Sequence, residues 1–367
     1  MNNDVINPDF TRDIQESDIP QNVLEILLKD RTTGRNILWM TDGYEQFESV
    51  FGVKMGLHDE IVADVLSRPG NKVIRPRVDK NKDEQRKRVV EKAEVFTPSW
   101  VCNNMNNLVD AAWFERETSP FSIELEKSWK VTTEPVAFPK ELKQTWLDYV
   151  KELRLEMCCG EAPFLVSRYD ATTGVYIPVP ERIGLLDRKL RIVNENVGCE
   201  PKEWLKHAKL ALQATLGFDW QGDNVFIARE NMLWTVLEYY KYYCTEVPIS
   251  HEDLVELAVI VSWNIWQMDG LKFVVPMTCH DVELVPQKPK KVQLELFELP
   301  DISKKPKQLQ LTVPCPGCQC KHPLDGILQH NGLYCNIMDW DENKPFPFVD
   351  ILKRKMEEEA RKKKEEK

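Results

Sequence analysis

The chain has 367 residues, a formal net charge of −10 and a hydrophobic fraction of 42%. That length fills one large core with appendages or two domains, and the acidic balance excludes blanket nucleic-acid binding, so any DNA contact has to use local basic patches. No apolar run reaches the length of a membrane span and Met1-Asn2-Asn3-Asp4 has no signal-peptide pattern, which predicts a cytoplasmic protein with no membrane partner; the ten scattered cysteines argue against a disulfide framework.

Residues 1–92 form an N-terminal region. A helix is expected around residues 23–28, and residues 36–40, Asn-Ile-Leu-Trp-Met, read as a short buried strand ended by the turn Thr41-Asp42-Gly43-Tyr44. Residues 72–92 are the most basic stretch before the tail. Arg75, Arg77, Arg86, Lys87 and Arg88 stand there among Asp79, Asp83 and Glu84, either as a solvated face or as phosphate contacts. After Pro98 the spacing of Val101, Met105, Leu108 and Val109 predicts a helix with one apolar face. Residues 116–143 are polar and irregular, as in an insertion.

Leu153 and Leu155 lie on one face of a short strand that ends in Glu156. Cys158-Cys159-Gly160 comes next, and Phe164-Leu165-Val166 opens an apolar segment expected to be helical. A strand ending in an acid, small residues with a glycine, then a helix is how α/β proteins build a nucleotide or cofactor loop, and Gly160 lets the backbone approach a ligand closely. A tight strand-to-helix connection fits the same residues. Residues 183–187 read as a second strand ending in an acid, Asp187 being either a ribose-binding carboxylate or a helix N-cap. Residues 204–216, 225–243 and 254–261 have helical periodicity, and residues 264–271 read as a strand ending in Asp269-Gly270-Leu271. Residues 286–310 are rich in Lys and Pro and mark a linker. In the small module 311–352, Cys315, Cys318, Cys320 and Cys335, with His322 and His330 nearby, have the look of a zinc site, unpaired thiols being the alternative. Residues 353–367 are a charged, helix-prone tail.

Several of these stretches resemble the motifs of S-adenosylmethionine-dependent adenine DNA methyltransferases of the restriction endonuclease subunit M type. Ala93-Glu94-Val95-Phe96-Thr97-Pro98 is similar to motif X, and Glu156 through Leu165 to motif I. Gly217-Phe218-Asp219-Trp220 with the helix after it is similar to motif II, and Asp269-Gly270-Leu271 to motif III. The likeness covers about the middle half of the chain. It implies an α/β, Rossmann-like methyltransferase sheet in a core of residues 93–285, preceded by an N-terminal appendage and followed by the small Cys-rich module, for which zinc and unpaired thiols both stay open. It implies S-adenosylmethionine as cofactor, held by Phe96, Thr97, Pro98, Glu156, Cys158, Gly160, Phe164, Asp219, Asp269 and Leu271. Asp219 is preferred to Asp187 for the ribose.

The activity implied is methyl transfer to the exocyclic amine of adenine in DNA, within a restriction-modification or phage-related system. DNA and a specificity or restriction subunit are the partners. The family's catalytic Asn-Pro-Pro-aromatic motif has no match after Leu271. Two incomplete candidates precede motif X, which implies a permuted order. Thr41-Asp42-Gly43-Tyr44 offers Asp42 as acceptor for the amine and Tyr44 as stacking ring, and is favoured because a strand leads into it. Asn7-Pro8-Asp9-Phe10 offers Asn7 and Phe10. The alternative is a catalytically inactive methyltransferase-fold protein that binds DNA or another protein.

Overall fold

The helix Gly222–Tyr243 runs through the middle of the protein, with every residue from Gly222 to Tyr240 buried. A helix buried on all sides needs neighbours all round. They are the helices Gln21–Leu28, Leu185–Val197, Pro201–Gln213 and His251–Asn264, which pack into one apolar core with Val23, Leu186, Trp204 and Leu257. The computed structural model describes residues 19–67, 73–92, 94–138, 144–244, 247–283 and 312–365. Among them no helix is long and apolar enough to cross a membrane.

The chain forms a hairpin from β1 (Ser122–Leu125) and β2 (Ser128–Val131), then a three-stranded parallel sheet from β3 (Arg154–Met157), β4 (Thr215–Asp219) and β5 (Ile265–Gln267) in the order β3-β4-β5. Two short antiparallel pairs complete it, β6 (Val282–Glu283) with β7 (Thr312–Val313) and β8 (Asn336–Asp339) with β9 (Lys344–Pro347). The fold is thus mixed α/β. The register places Leu155 beside Leu216 and Phe218 beside Trp266. Because side chains alternate along a strand, Leu216, Phe218 and Trp266 share one face. That face packs on Ile337, Phe346 and Phe348 of the C-terminal hairpin, whereas Ile265 points into the helical core.

Four local expectations are corrected. Residues 36–40 join no sheet and show only isolated bridges, Lys29 to Asn36 and Leu38 to Glu60. The amide of Gln267 takes both backbone groups of Leu38, accepting from its N–H and donating to its carbonyl at 2.8 Å each, so a side chain occupies the ladder's place. The helix Ser99–Trp113 turns its polar side inward. Asn103, Asn106, Asn107 and Asp110 are buried while Met105, Leu108 and Val109 are exposed. The reason is Arg188, fully buried, whose guanidinium pairs with Asp110 and donates to the side-chain oxygens of Asn103 and Asn107. Residues 164–166 are not helical, because the carbonyls of Phe164 and Leu165 accept the N–H groups of Leu185 and Leu186 instead of their own next turn. Residues 183–187 form no strand; Asp187 sits in the first turn of the helix Leu185–Val197 and accepts the N–H groups of Gly184 and Ser167.

Candidate cofactor cleft and metal centre

A cleft of about 690 Å³ opens at the C-terminal ends of β3 and β4. Phe96 and Thr97 line it from one side, Glu156 from β3 itself, Cys158, Gly160, Pro163 and Phe164 from the segment after it, and Asp219, Trp220, Gln221 and Asn224 from the end of β4 and the start of the helix Gly222–Tyr243. The carboxyl ends of parallel strands are where open α/β sheets take ligands. The loop is held in a special shape. Gly160 has φ +53°, and a Cβ there would stand 3.6 Å from the Phe96 ring. Cys158 and Ala162 also hold left-handed φ of 53° and 64°, each costing about 1 kcal/mol or more for a residue with a Cβ. Glu161 braces the turn from behind, accepting the Arg77 N–H at 2.6 Å and the Tyr169 hydroxyl at 2.7 Å; burial pushes its carboxyl up to about 6.

Two carboxylates face this cleft with different electrostatics. Asp219 accepts the N–H of Gly160 at 2.9 Å on one oxygen and of Gln221 at 3.0 Å on the other, and the Asn224 side chain also hydrogen-bonds it. Burial nonetheless raises its pKa, and nearby Asp223 adds to the rise. Glu156 has one oxygen, Oε2, shut off from solvent with no hydrogen-bond partner among the described residues. Desolvation lifts Glu156 well above the carboxylate range; the N–H groups of Phe164 and Leu165 oppose the rise and Asp219 adds to it.

Of the ten residues expected at the cofactor, Phe96, Thr97, Glu156, Cys158, Gly160, Phe164 and Asp219 are brought together in the cleft. Pro98 is the N-cap of the next helix. Asp269 and Leu271 are not among the lining residues: Asp269 pairs with Lys272 at 3.2 Å and accepts the Leu271 N–H. The sequence reading missed Trp220, Gln221, Asn224 and Glu94. Their one signal is adjacency to Asp219 and Phe96.

The expected catalytic pair lies elsewhere. Tyr44 is buried, stacked on Trp39 at 4.2 Å, and donates its hydroxyl to Asp223 at 2.8 Å. Asp42 pairs with Lys87 at 3.5 Å, and both line a separate pocket of about 410 Å³. Neither borders the cleft, since residues 36–40 provide no strand of the parallel sheet to lead them there. Asn7 and Phe10 lie outside the described residues. In the basic stretch Arg88 is a structural group: it pairs with Glu94, and with Asp223 at 2.9 Å. Arg75 pairs with Glu84, Arg77 lies over the Phe96 ring at 5.2 Å, and Arg86 is exposed.

Beyond β5 a second constellation forms. The sulfurs of Cys279, Cys315 and Cys318 stand 3.6, 3.6 and 3.7 Å from His330 Nδ1, and all four ligand atoms fall within 4.8 Å of one another. Three thiols and an imidazole at this spacing can hold a metal ion such as zinc. Gly317 makes room: a Cβ there would meet the His330 ring at 2.6 Å. Burial raises the Cys315 thiol, but the N–H groups of Asn331 and Cys318 together with the side chains of His330 and Cys279 bring it down to about 6. Two expected ligands are corrected. Cys320 leaves the knuckle and bonds the Pro316 carbonyl, and Cys335 is fully buried against the sheet, its thiol on the Gln267 carbonyl at 3.5 Å. Cys279 joins the cluster from the far side of the expected linker, and His330, noted only as a neighbour, supplies its fourth candidate ligand atom. No protein-family model, no curated protein and no solved structure matches the chain.

Proposed function

We propose that the chain binds S-adenosylmethionine in the cleft after β3 and β4 and serves methyl transfer to the exocyclic amine of adenine in DNA. The observation that carries this reading is the pair of unlike carboxylates. Asp219, a carboxylate at the end of a strand beside a glycine loop and lining the cleft, suits the hydroxyls of a ribose. Glu156 has a buried oxygen that no group among the described residues satisfies, and a buried carboxylate of that kind calls for a cation. The ligand's α-ammonium would supply it, and Trp220 beside Asp219 offers a ring for a base. The cofactor, when bound, would supply the electrophilic methyl. The likeness to motifs X, I and II supports the same assignment. We propose also that Cys279, Cys315, Cys318 and His330 hold zinc in a structural role, since a Cys₃His set leaves no open coordination position.

A second reading is a cofactor-binding protein that does not transfer the methyl group. It is favoured by the engagement of Tyr44 with Trp39 and Asp223, away from the cleft. Calorimetry with S-adenosylmethionine and tritiated-methyl transfer to mixed-sequence DNA separate the two. Binding is expected, and Asp219→Ala should weaken it by about 1–3 kcal/mol by leaving the ribose unmatched. Label on adenine supports transfer; binding without label supports the second reading; a wild-type chain that binds nothing removes both.

A further inference from the structure

Among the described residues, two buried side-chain oxygens of the cleft have no hydrogen-bond partner. Glu156 Oε2 is one and Asn224 Oδ1 is the other. Asn224 is only 2% exposed. The neighbouring amide of Gln221 shows the contrast: its Oε1 accepts from the Arg88 guanidinium at 3.1 Å. A buried amide oxygen without a donor destabilises the free protein and calls for a donor from outside the chain.

Asn224 is held from two sides. Its side chain hydrogen-bonds Asp219. An ionised carboxylate only accepts, so Nδ2 faces Asp219 and Oδ1 is the atom turned away. On the other side the Asn224 backbone N–H donates to Asp223 Oδ1 at 2.9 Å. Asp223 in turn is fastened by the Tyr44 hydroxyl at 2.8 Å, Arg88 at 2.9 Å and Lys80 at 3.4 Å. Asn224 also stands in the first turn of the long helix Gly222–Tyr243, so its acceptor is preorganised. The oxygen and nitrogen of one amide lie about 2.2 Å apart and a hydrogen bond adds about 2.9 Å, which keeps Oδ1 within about 5 Å of an Asp219 oxygen. Two acceptors that close suit two donors on adjacent atoms. A vicinal diol offers such a pair, whereas a phosphate offers acceptors only and meets the Asp219 charge.

Resting on the S-adenosylmethionine reading of the cleft, we propose that Asn224 is a specificity-determining residue: its Oδ1 accepts one hydroxyl of the ligand's ribose while Asp219 accepts the other. Calorimetry of the full chain with S-adenosylhomocysteine and with its 2′-deoxy and 3′-deoxy forms tests this. Asn224→Leu should weaken S-adenosylhomocysteine about tenfold or more, and should not weaken the one deoxy form that lacks the hydroxyl Asn224 holds. Asp219→Ala should lose part of its effect with the other deoxy form. If Asn224 only positions Asp219, both variants couple to the same hydroxyl, and the proposal is overturned. If Asn224→Leu fails to fold, the wild-type chain carries the test: each deoxy form must bind about tenfold more weakly than the diol, and equal binding by either overturns the proposal. Wild-type binding that Asn224→Leu leaves unchanged strikes the proposal alone. A wild-type chain that binds neither S-adenosylmethionine nor S-adenosylhomocysteine strikes the cleft reading, and the role of Asn224 with it.

Discussion

In the cleft, Glu156 and Asp219 show how two acids on neighbouring strands acquire different roles from their surroundings. Both of Asp219's oxygens receive backbone N–H groups, whereas Glu156 keeps Oε2 unpartnered among the described residues and away from water. A carboxylate in that state destabilises the free protein, because desolvation opposes its charge. Glu156→Gln should therefore raise the stability of the ligand-free chain at pH 7 by about 1–3 kcal/mol while weakening any cationic ligand. The sign comes from the raised pKa. The folded state holds the proton more tightly than the unfolded one, so the favourable contribution is complete below the ordinary value of about 4.3 and is lost as pH rises through the raised value. Wild type and variant should converge in acid and diverge toward neutrality, which thermal melts at a series of pH values would check. Glu156 was legible at the cleft because an acid, small residues and a glycine stand in one local run, and Asp219 because an acid ends the strand Thr215–Asp219. Tyr44 was misread for the opposite reason. Its partners, Trp39 and Asp223, include one far away in sequence, and no local pattern announces a core hydrogen bond.

At the scale of elements, the buried helix Gly222–Tyr243 is fastened by Arg229. Its guanidinium donates to the carbonyls of Leu27 at 2.6 Å, Lys29 at 3.0 Å, Ser262 at 3.1 Å and Ile265 at 2.7 Å. These carbonyls end the helices Gln21–Leu28 and His251–Asn264 and begin β5, so one side chain caps two helix C-termini and fixes the strand's start. Arg229→Met should cost about 3 kcal/mol or more in urea denaturation, since four buried acceptors lose their donor. Arg229→Lys should restore little, because an ammonium cannot serve the spread of acceptors that a planar guanidinium reaches. Helical periodicity over 204–216 and 254–261 found the helices Pro201–Gln213 and His251–Asn264, whose apolar stripes face the core, but ran the first on into β4 because buried Leu216 continues the apolar pattern. It misjudged the face of Ser99–Trp113 because buried Arg188 recruits a polar stripe, an exception that periodicity reads backwards.

At the scale of the whole molecule, the Cys₃His cluster ties the chain before residue 284 to the chain after residue 311. Cys279 leads out of the turn after β5, while Cys315, Cys318 and His330 belong to the C-terminal segment. The Cys-x-x-Cys pair was legible; the other two ligands were not, because a Lys- and Pro-rich run reads as a boundary and hides ligands shared across it. The same C-terminal segment carries Ile337, Phe346 and Phe348, which cover Phe218 and Trp266 on the outer face of the sheet. Phe218 immediately precedes Asp219, so the Cys₃His cluster, hairpin and cleft are mechanically continuous. Removing the metal should therefore act at two distances. Elemental analysis should find about one zinc per chain, and Cys318→Ser should lose it, whereas Cys320→Ser, whose sulfur bonds only a backbone carbonyl, should keep it. A strong chelator or Cys318→Ser should lower stability by about 3–4 kcal/mol, the order expected for opening a cross-link over a loop of this length. Exchange should quicken first at β8 and β9 and then at β4, where loss of the hairpin's cover reaches the strand that ends in Asp219. If chelation quickens exchange only around Cys279 and residues 312–335 and leaves β4 untouched, the cluster fastens the C-terminal segment without supporting the cleft.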